Sequence, residues 1–347
     1  MPDARMNRDA AARPDAAVVS DAQAVPDQST PDADLAPSES EITECSNPTV
    51  HMVNPDNFQS VASNANTGCH LFDMEPGVYS VGAGDVPRLG NVTMRCRERH
   101  ECIINGWHIA HYGTLIIEGM KFGAVDNSSR NNYGLALYYG DRARLQHNVW
   151  ETVNTPNQTH GISIKNTAER VEILDNSFDC LRHCIEISQN GNIRTRNSLT
   201  GTVVIRGNTF SSRNTVITNR NSCSVLIESN EFVEVGSTAV TNLAFWELYP
   251  YGASGDRGEL YVPKCPYPQD QSTGTIGGLS TRLVNNHFGS GQLRFNGRGV
   301  TDDIVDLRDN TGSYTCSLSS MGSGARNATA DEETSEPPRL ADGSDPC

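Results

Sequence analysis

The six residues ILDNSF at positions 173–178 recur, with small changes, as IRGNTF at 205–210 and IESNEF at 227–232. Each copy has an aliphatic residue, two variable residues, an asparagine, one more variable residue and a phenylalanine. The further copies are LQHNVW at 145–150, LVNNHF at 283–288, LRDNTG at 307–312 and a degenerate IEGMKF at 117–122. Successive asparagines are 28, 32, 22, 56 and 24 residues apart, and the 56-residue gap corresponds to two periods with an insertion. A recurring period of this size predicts a repeat architecture.

Short runs between the copies alternate apolar and polar residues, as in Leu135–Tyr138, Ile162–Lys165 and Ile185–Ser188. Alternation with a period of two predicts strands with one buried face. No segment with a helical period separates them, which excludes βαβ units. The sequence therefore predicts an all-β solenoid whose coils stack in parallel about 4.8 Å apart. The repeated asparagine is expected to take a left-handed backbone and to bond its neighbours through its amide, and the phenylalanines are expected to stack.

Composition and charge divide the chain into three parts. It has 30 Asn, 30 Gly and only three Lys, which disfavours a helix bundle. The net charge is -15, of which -7 belongs to residues 1–44 and -4 to residues 317–347. Both ends lack hydrophobic periodicity and are predicted to be disordered, a linker rich in Ala, Pro and Asp and an acidic tail. Residues 45–316 are the predicted solenoid domain. The acidic balance argues against a nucleic-acid partner, and no apolar run is long enough to span a membrane.

The ten cysteines, an even number, indicate an oxidising compartment. Proximity in sequence makes Cys96–Cys102, Cys180–Cys184 and Cys45–Cys69 candidate disulfides, and the remaining connectivity stays open. Neither haem-attachment nor zinc spacing occurs around Cys180, so no metal or cofactor is predicted. No apolar signal segment follows Met1, although the repeated Pro-Asp-Ala tract looks like the spacer of a surface lipoprotein. We expect a monomer outside the cell or on its surface, with a lipid anchor as one option.

The Asn-x-Phe coils resemble the right-handed parallel β-helices of the pectin-lyase-like superfamily. The segment Pro76-Gly77-Val78-Tyr79 is similar to the Pro-Gly-x-Tyr that often opens the first coil in that superfamily. The resemblance covers residues 69–316 and is specific for the fold but not for one family. Enzymes of that superfamily commonly cleave or epimerise acidic polysaccharides on the flat face of the helix, and the resemblance implies such a site here. Before the first coil, Asn54 and Pro55 are predicted to begin a short amphipathic helix that caps the solenoid.

Aligning the second strand of three coils predicts a cluster of titratable side chains on one outer face. The alignment puts Tyr133 beside His160 and His183, Ala136 beside Ser163 and Glu186, and Tyr138 beside Lys165 and Ser188. β-Elimination at a uronate needs a base and a cation. His160, His183 or Lys165 is a candidate base, with Arg182 as a stabiliser. A carboxylate such as Glu186 keeps a nearby lysine protonated, which favours a histidine base and a lysine that stabilises charge. The alternative is the polar outer face that every β-helix has.

An insertion at 243–278 is the second candidate region, because long insertions in solenoids often carry binding. Six of the 22 aromatic residues lie in it. The predicted sugar-binding residues are Tyr138 on the coil face and Trp246, Tyr249, Tyr251 and Arg257 in the insertion. The alternative is a loop that packs its own aromatic side chains over the coils.

Two hypotheses about function follow. The first is a lyase or epimerase of uronate polymers that uses the residues named above. Two facing carboxylates for glycoside hydrolysis are lacking, since only Glu186 lies in the cluster and Asp179 lies at its edge. The second is a non-catalytic surface protein that binds glycans or serves in adhesion, because one fold hosts both classes.

Overall fold

A computed structural model describes residues 41–80, 86–111, 113–123, 133–138, 140–151, 160–165, 169–188, 200–219, 222–242, 280–297 and 304–320. In these ranges the chain forms one short helix, α1 (Phe58–Ser63), and 28 strands. The strands are β1 (Thr49–Val53), β2 (Cys69–Met74), β3 (Gly77–Ser80), β4 (Val86–Leu89), β5 (Asn91–Cys96), β6 (Cys102–Asn105), β7 (Trp107–His111), β8 (Thr114–Glu118), β9 (Lys121–Gly123), β10 (Tyr133–Tyr138), β11 (Arg142–Gln146), β12 (Val149–Glu151), β13 (His160–Lys165), β14 (Arg170–Leu174), β15 (Ser177–Cys180), β16 (His183–Ser188), β17 (Thr200–Arg206), β18 (Thr209–Ser212), β19 (Thr215–Asn219), β20 (Ser222–Glu228), β21 (Glu231–Val235), β22 (Thr238–Asn242), β23 (Ser280–Val284), β24 (His287–Phe288), β25 (Gln292–Gly297), β26 (Ile304–Arg308), β27 (Thr311–Gly312) and β28 (Thr315–Ser320).

The strands form three long sheets in which every neighbouring pair is parallel and belongs to successive coils. Sheet A contains β1 and β2 and then every third strand from β5 to β26. Sheet B contains every third strand from β3 to β27, and sheet C contains every third strand from β4 to β28. This order confirms the predicted parallel β-helix.

The repeated asparagines lie in a buried column at the turn from sheet A to sheet B. Asn176, for example, donates its backbone N–H and its side-chain amide to Oδ1 of Asn208, at 2.9 and 3.0 Å, and its amide also reaches the Leu145 carbonyl. The predicted bonding between amides is confirmed. The predicted left-handed backbone is displaced by one position, because the positive φ belongs to the residue before each asparagine, such as Asp175 (φ 52°) or Gly207 (φ 66°). This leaves the asparagine free to turn its amide into the column.

The phenylalanine of each repeat lies in a second column inside the helix. Its rings are stacked 4.6–5.1 Å apart from Phe122 through Trp150 to Phe288. The last repeat has Gly312 at this position, and there Tyr314 covers Phe288 with a centroid distance of 5.0 Å. The aliphatic residues of all three sheets complete one continuous core.

The helix α1 closes the N-terminal end of this core. Phe58 stacks on Trp107 at 4.7 Å and meets Phe72 and Tyr79 edge-on, and Ala62 is fully buried. The helix begins three residues later than predicted. Asn54 instead makes a turn, in which its Oδ1 accepts the backbone N–H groups of Asp56 and Asn57.

Tyr79 of the Pro-Gly-x-Tyr segment ties the first coil to its neighbours. Its hydroxyl lies 2.6 Å from the Glu75 carbonyl and 3.1 Å from the Val53 carbonyl. Burial, with a smaller contribution from the Glu75 carboxylate, raises the pKa of Tyr79 to about 12.

The three predicted disulfides, Cys45–Cys69, Cys96–Cys102 and Cys180–Cys184, are all formed.

Of the predicted linker 1–44, residues 1–40 lie outside the described residues. Its last residues contact sheet A, where Ile42 is 1% exposed and Glu44 pairs with Arg95. Of the predicted tail, residues 317–320 belong to β28 and the rest lies outside the described residues. The described helix is far too short to cross a membrane.

Candidate functional site on sheet C

The register of sheet C brings together the predicted columns. β10, β13 and β16 pair so that Tyr133 is beside His160 and His160 is beside His183. The same register aligns Ala136 with Ser163 and Glu186, and Tyr138 with Lys165 and Ser188. The alignment made from the repeats is therefore confirmed.

A break in the alternation at the start of these strands explains why a histidine and a residue three positions later share one face. Two consecutive residues face the core there, so that strict alternation is interrupted once. The consecutive core pairs are Cys184 and Ile185, Val216 and Ile217, and Ala239 and Val240. Both His183 and Glu186 consequently lie outside the core, on the same side of the sheet.

The two histidine rings are stacked in parallel, with centroids 4.7 Å apart and an interplanar angle of 4°. His160 Nδ1 lies 3.4 Å from Glu186 Oε2 on the next coil. His183 Nδ1 lies 2.9 Å from the Thr218 hydroxyl, one coil further on. The Thr218 hydroxyl thus orients the His183 ring by a hydrogen bond, whereas Glu186 faces Nδ1 of His160 as an ion-pair contact.

These groups are more buried than a polar outer face suggests. His160 and His183 are each 8% exposed and Glu186 is 6% exposed, while Ser163 and Thr218 are fully buried. A charge that develops here is screened less by water than at an open surface, so the contact between His160 and Glu186 is stronger.

Lys165 lies toward the preceding coil. Its ammonium group is 5.0 Å from the centroid of the Tyr133 ring and 5.5 Å from that of Tyr138. His108 completes this group, with its ring 6.5 Å from Tyr133 and 5.6 Å from Tyr138. All four side chains are half-buried. They form a cationic and aromatic patch, which we call the Lys165 patch, next to the buried histidines.

Arg182 lies in the turn before β16 and is exposed. Its carbonyl accepts the Thr215 N–H at 2.9 Å and the Ser212 hydroxyl at 3.0 Å, which fixes the backbone just before His183. The role predicted for its guanidinium stays a prediction. Trp246, Tyr249, Tyr251 and Arg257 lie outside the described residues.

Asp179 lies on sheet B, where it is paired with Glu151 and Ser211. Burial raises the pKa of Asp179, and Glu151 and Glu234 add to this effect, whereas Arg213 opposes it. Glu186 lies on sheet C, so these two carboxylates belong to different faces of the coil. Among the described residues no group of three His, Cys, Asp or Glu side chains could hold a metal ion.

Two members of the site were missed by sequence reasoning. Thr218 follows from extending the alignment by one coil, since it occupies the position of Glu186 in β19. His108 follows from extending the alignment by one coil in the other direction, because β7 places it beside Ala136. Both signals were present in the repeat but were not followed beyond the three coils compared.

Comparison with known proteins gives no match. No family model matches the chain. Neither the curated proteins nor the solved structures contain a significant match to it. The site must therefore be interpreted from its own geometry.

Proposed function

We propose that the chain is a polysaccharide-active enzyme, a lyase or epimerase of uronate polymers, whose site is the outer face of sheet C. The observation that carries this proposal is the contact of His160 with Glu186, at 3.4 Å, beneath the parallel stack with His183. The likeness of the Asn-x-Phe coils to the pectin-lyase-like superfamily supports the substrate class.

The first step is the removal of the proton beside the uronate carboxylate. With Nδ1 of His160 directed at Glu186, Nε2 is the nitrogen that takes the proton, and the carboxylate stabilises the imidazolium that forms. In a lyase the electron pair then forms a carbon–carbon double bond as the glycosidic C–O bond breaks, and the leaving oxygen takes the proton that His160 has removed. In an epimerase a proton is instead returned to the opposite face of the same carbon, and because His183 is stacked beside His160 on the same face of the sheet, that proton comes from solvent water.

The Lys165 patch supplies the two other requirements of such a site. Its ammonium group offsets the negative charge that develops on the uronate carboxylate. The rings of Tyr133, Tyr138 and His108 provide faces on which sugar rings pack. Lys165 lies on the same strand as His160, the two tyrosines lie one coil before it and His108 lies two coils before it.

The experiment is a panel of acidic polysaccharides, with ultraviolet absorbance reporting unsaturated uronate ends and proton NMR reporting epimerisation. We expect His160→Ala and Glu186→Gln to lower kcat by about 10²–10⁴. His287→Ala is the matched control, because His287 is exposed on sheet B and its side chain is bonded only to Thr311 among the described residues. Activity that survives both site substitutions would refute the assignment of the site. The absence of turnover on every polysaccharide of the panel would refute the proposed enzymatic activity.

A second candidate, a non-catalytic glycan-binding surface, is favoured by one observation. His160 and His183 are only 8% exposed, whereas the side chains of the Lys165 patch are half-buried and more accessible to a ligand. On this alternative, polysaccharides bind without being changed. Calorimetry would then show Tyr138→Ala to weaken binding by about tenfold or more, while His160→Ala leaves it unchanged.

A further inference from the structure

The Cys180–Cys184 disulfide lies directly under the histidine stack. Both cysteines are fully buried in the core, and Cys184 follows His183 in the chain. The bond encloses Leu181 and Arg182 of the turn before β16 and His183, the first residue of β16. Any movement of His183 relative to the core must therefore act against this covalent link.

The coil that carries His160 packs on the same bond. A Cβ atom added to Gly161 would lie 2.6 Å from the Cys184 carbonyl oxygen and 3.4 Å from Cys180 Sγ. The absence of a side chain at Gly161 thus lets the backbone beside His160 rest against the disulfide. One covalent element consequently supports the backbone of both histidines.

The next two coils show that this turn forms without a disulfide. The register places Ser212 and then Val235 at the position of Cys180. Val216 and Ala239 take the position of Cys184, and all four residues are buried. Those coils have the same turn length but carry Thr215 and Thr238 where this coil carries His183. The covalent link is therefore not a requirement of the coil.

We propose that the Cys180–Cys184 disulfide is a positioning element, which holds His183 against Thr218 and, through the ring stack, holds His160 against Glu186. This inference rests on the proposed function. Its physical basis is that proton transfer needs the imidazole within a fraction of an ångström of its productive place, and a covalent link removes the freedom of the turn that carries it.

The test is the double variant Cys180→Ser/Cys184→Val, which reproduces the Ser212 and Val216 pair of the next coil. We expect kcat to fall by about tenfold to a hundredfold with KM unchanged. In 15N-labelled protein, the His183 and His160 ring signals should change from single, fixed tautomers to averaged ones. Cys96→Ser/Cys102→Ser is the matched control, because it removes another short buried disulfide, which joins β5 of sheet A to β6 of sheet B, and should leave these signals unchanged.

Unchanged histidine signals in the double variant would overturn the proposal, whether or not a substrate has been found. Altered signals with an unchanged kcat would overturn it as well. If Cys180→Ser/Cys184→Val does not fold, Cys180→Val/Cys184→Ala, which reproduces Val235 and Ala239, takes its place. A failure of the proposed function appears separately, as a parent protein with fixed histidine signals and no turnover.

Discussion

At the scale of single residues, the surroundings of Asp179 show how stacked coils determine the energy of a charge. Parallel pairing puts Asp179 next to Glu151, and Glu234 lies in the same column two coils further on. Desolvation and these like charges raise the pKa of Asp179, and Arg213 compensates only in part. The ionised form of Asp179 is therefore less favourable in the folded chain than in the unfolded chain.

Asp179→Asn is accordingly expected to stabilise the fold at neutral pH. Because the folded pKa is raised above 3.8, the folded state binds more protons than the unfolded state, and stability falls as the pH rises through this range. Thermal unfolding should show a melting temperature higher by no more than about 2 °C at pH 7 and no difference at about pH 3, since the group is largely solvated. Arg213→Gln should have the opposite sign at pH 7. A lower melting temperature for Asp179→Asn at pH 7 would contradict the interpretation.

At the scale of the element, the asparagine column connects sheet A to sheet B in every coil. Asn208 accepts two hydrogen bonds from Asn176 and donates to the Ile173 carbonyl and to Asn230 Oδ1, all at 2.9–3.0 Å. It is 1% exposed, so water cannot replace these partners. The asparagine column is therefore a ladder of hydrogen bonds, in which each asparagine provides bonding partners for the asparagines of the coils before and after it.

Asn208→Ala should lower the free energy of unfolding by about 2–4 kcal/mol, because it leaves the Asn176 donors and the Ile173 carbonyl buried without partners. Chemical denaturation followed by circular dichroism measures this loss. Asn214→Ala is the matched control, as Asn214 is exposed and lies outside the ladder. Asn310→Ala, at the half-buried end of the ladder, should cost less than Asn208→Ala. Equal losses for all three variants would show that the ladder has no special role.

The asparagine column also explains which features of the fold and the site could be predicted from the sequence. A repeated asparagine fixes the register of successive coils, and with the register fixed, the neighbours of His160 and Glu186 follow from counting residues. The direction of each side chain did not follow. The interruption of alternation at Gly161 and the orientation of Lys165 toward Tyr133 depend on packing in three dimensions, which the period of the sequence does not encode. The left-handed backbone was predicted at the asparagine, one position too late, because asparagine is itself common at left-handed turn positions.

At the scale of the whole molecule, a solenoid is held together mainly by contacts between adjacent coils. The segment around Ile42 is an exception. Its backbone N–H lies 3.3 Å from Glu172 Oε2, 130 residues away, and Cys45 is bonded to Cys69 in the first coil. Glu172 is 2% exposed and also accepts from Arg144 and Arg170, each at 2.7 Å. The segment around Ile42 is thus fixed to the β14 coil as well as to the first coil.

Removing Glu172 should therefore destabilise more than one coil. Glu172→Ala leaves the largely buried guanidinium groups of Arg144 and Arg170 without their carboxylate, which should lower the free energy of unfolding by about 3–5 kcal/mol. Glu228→Ala, which breaks the more exposed pair with Arg206, should cost less than about 1 kcal/mol. Hydrogen exchange locates the effect, because loss of the Ile42 contact should increase exchange both in β14 and at residues 42–44. Faster exchange confined to β14 would show that the N-terminal segment is held by its disulfide alone.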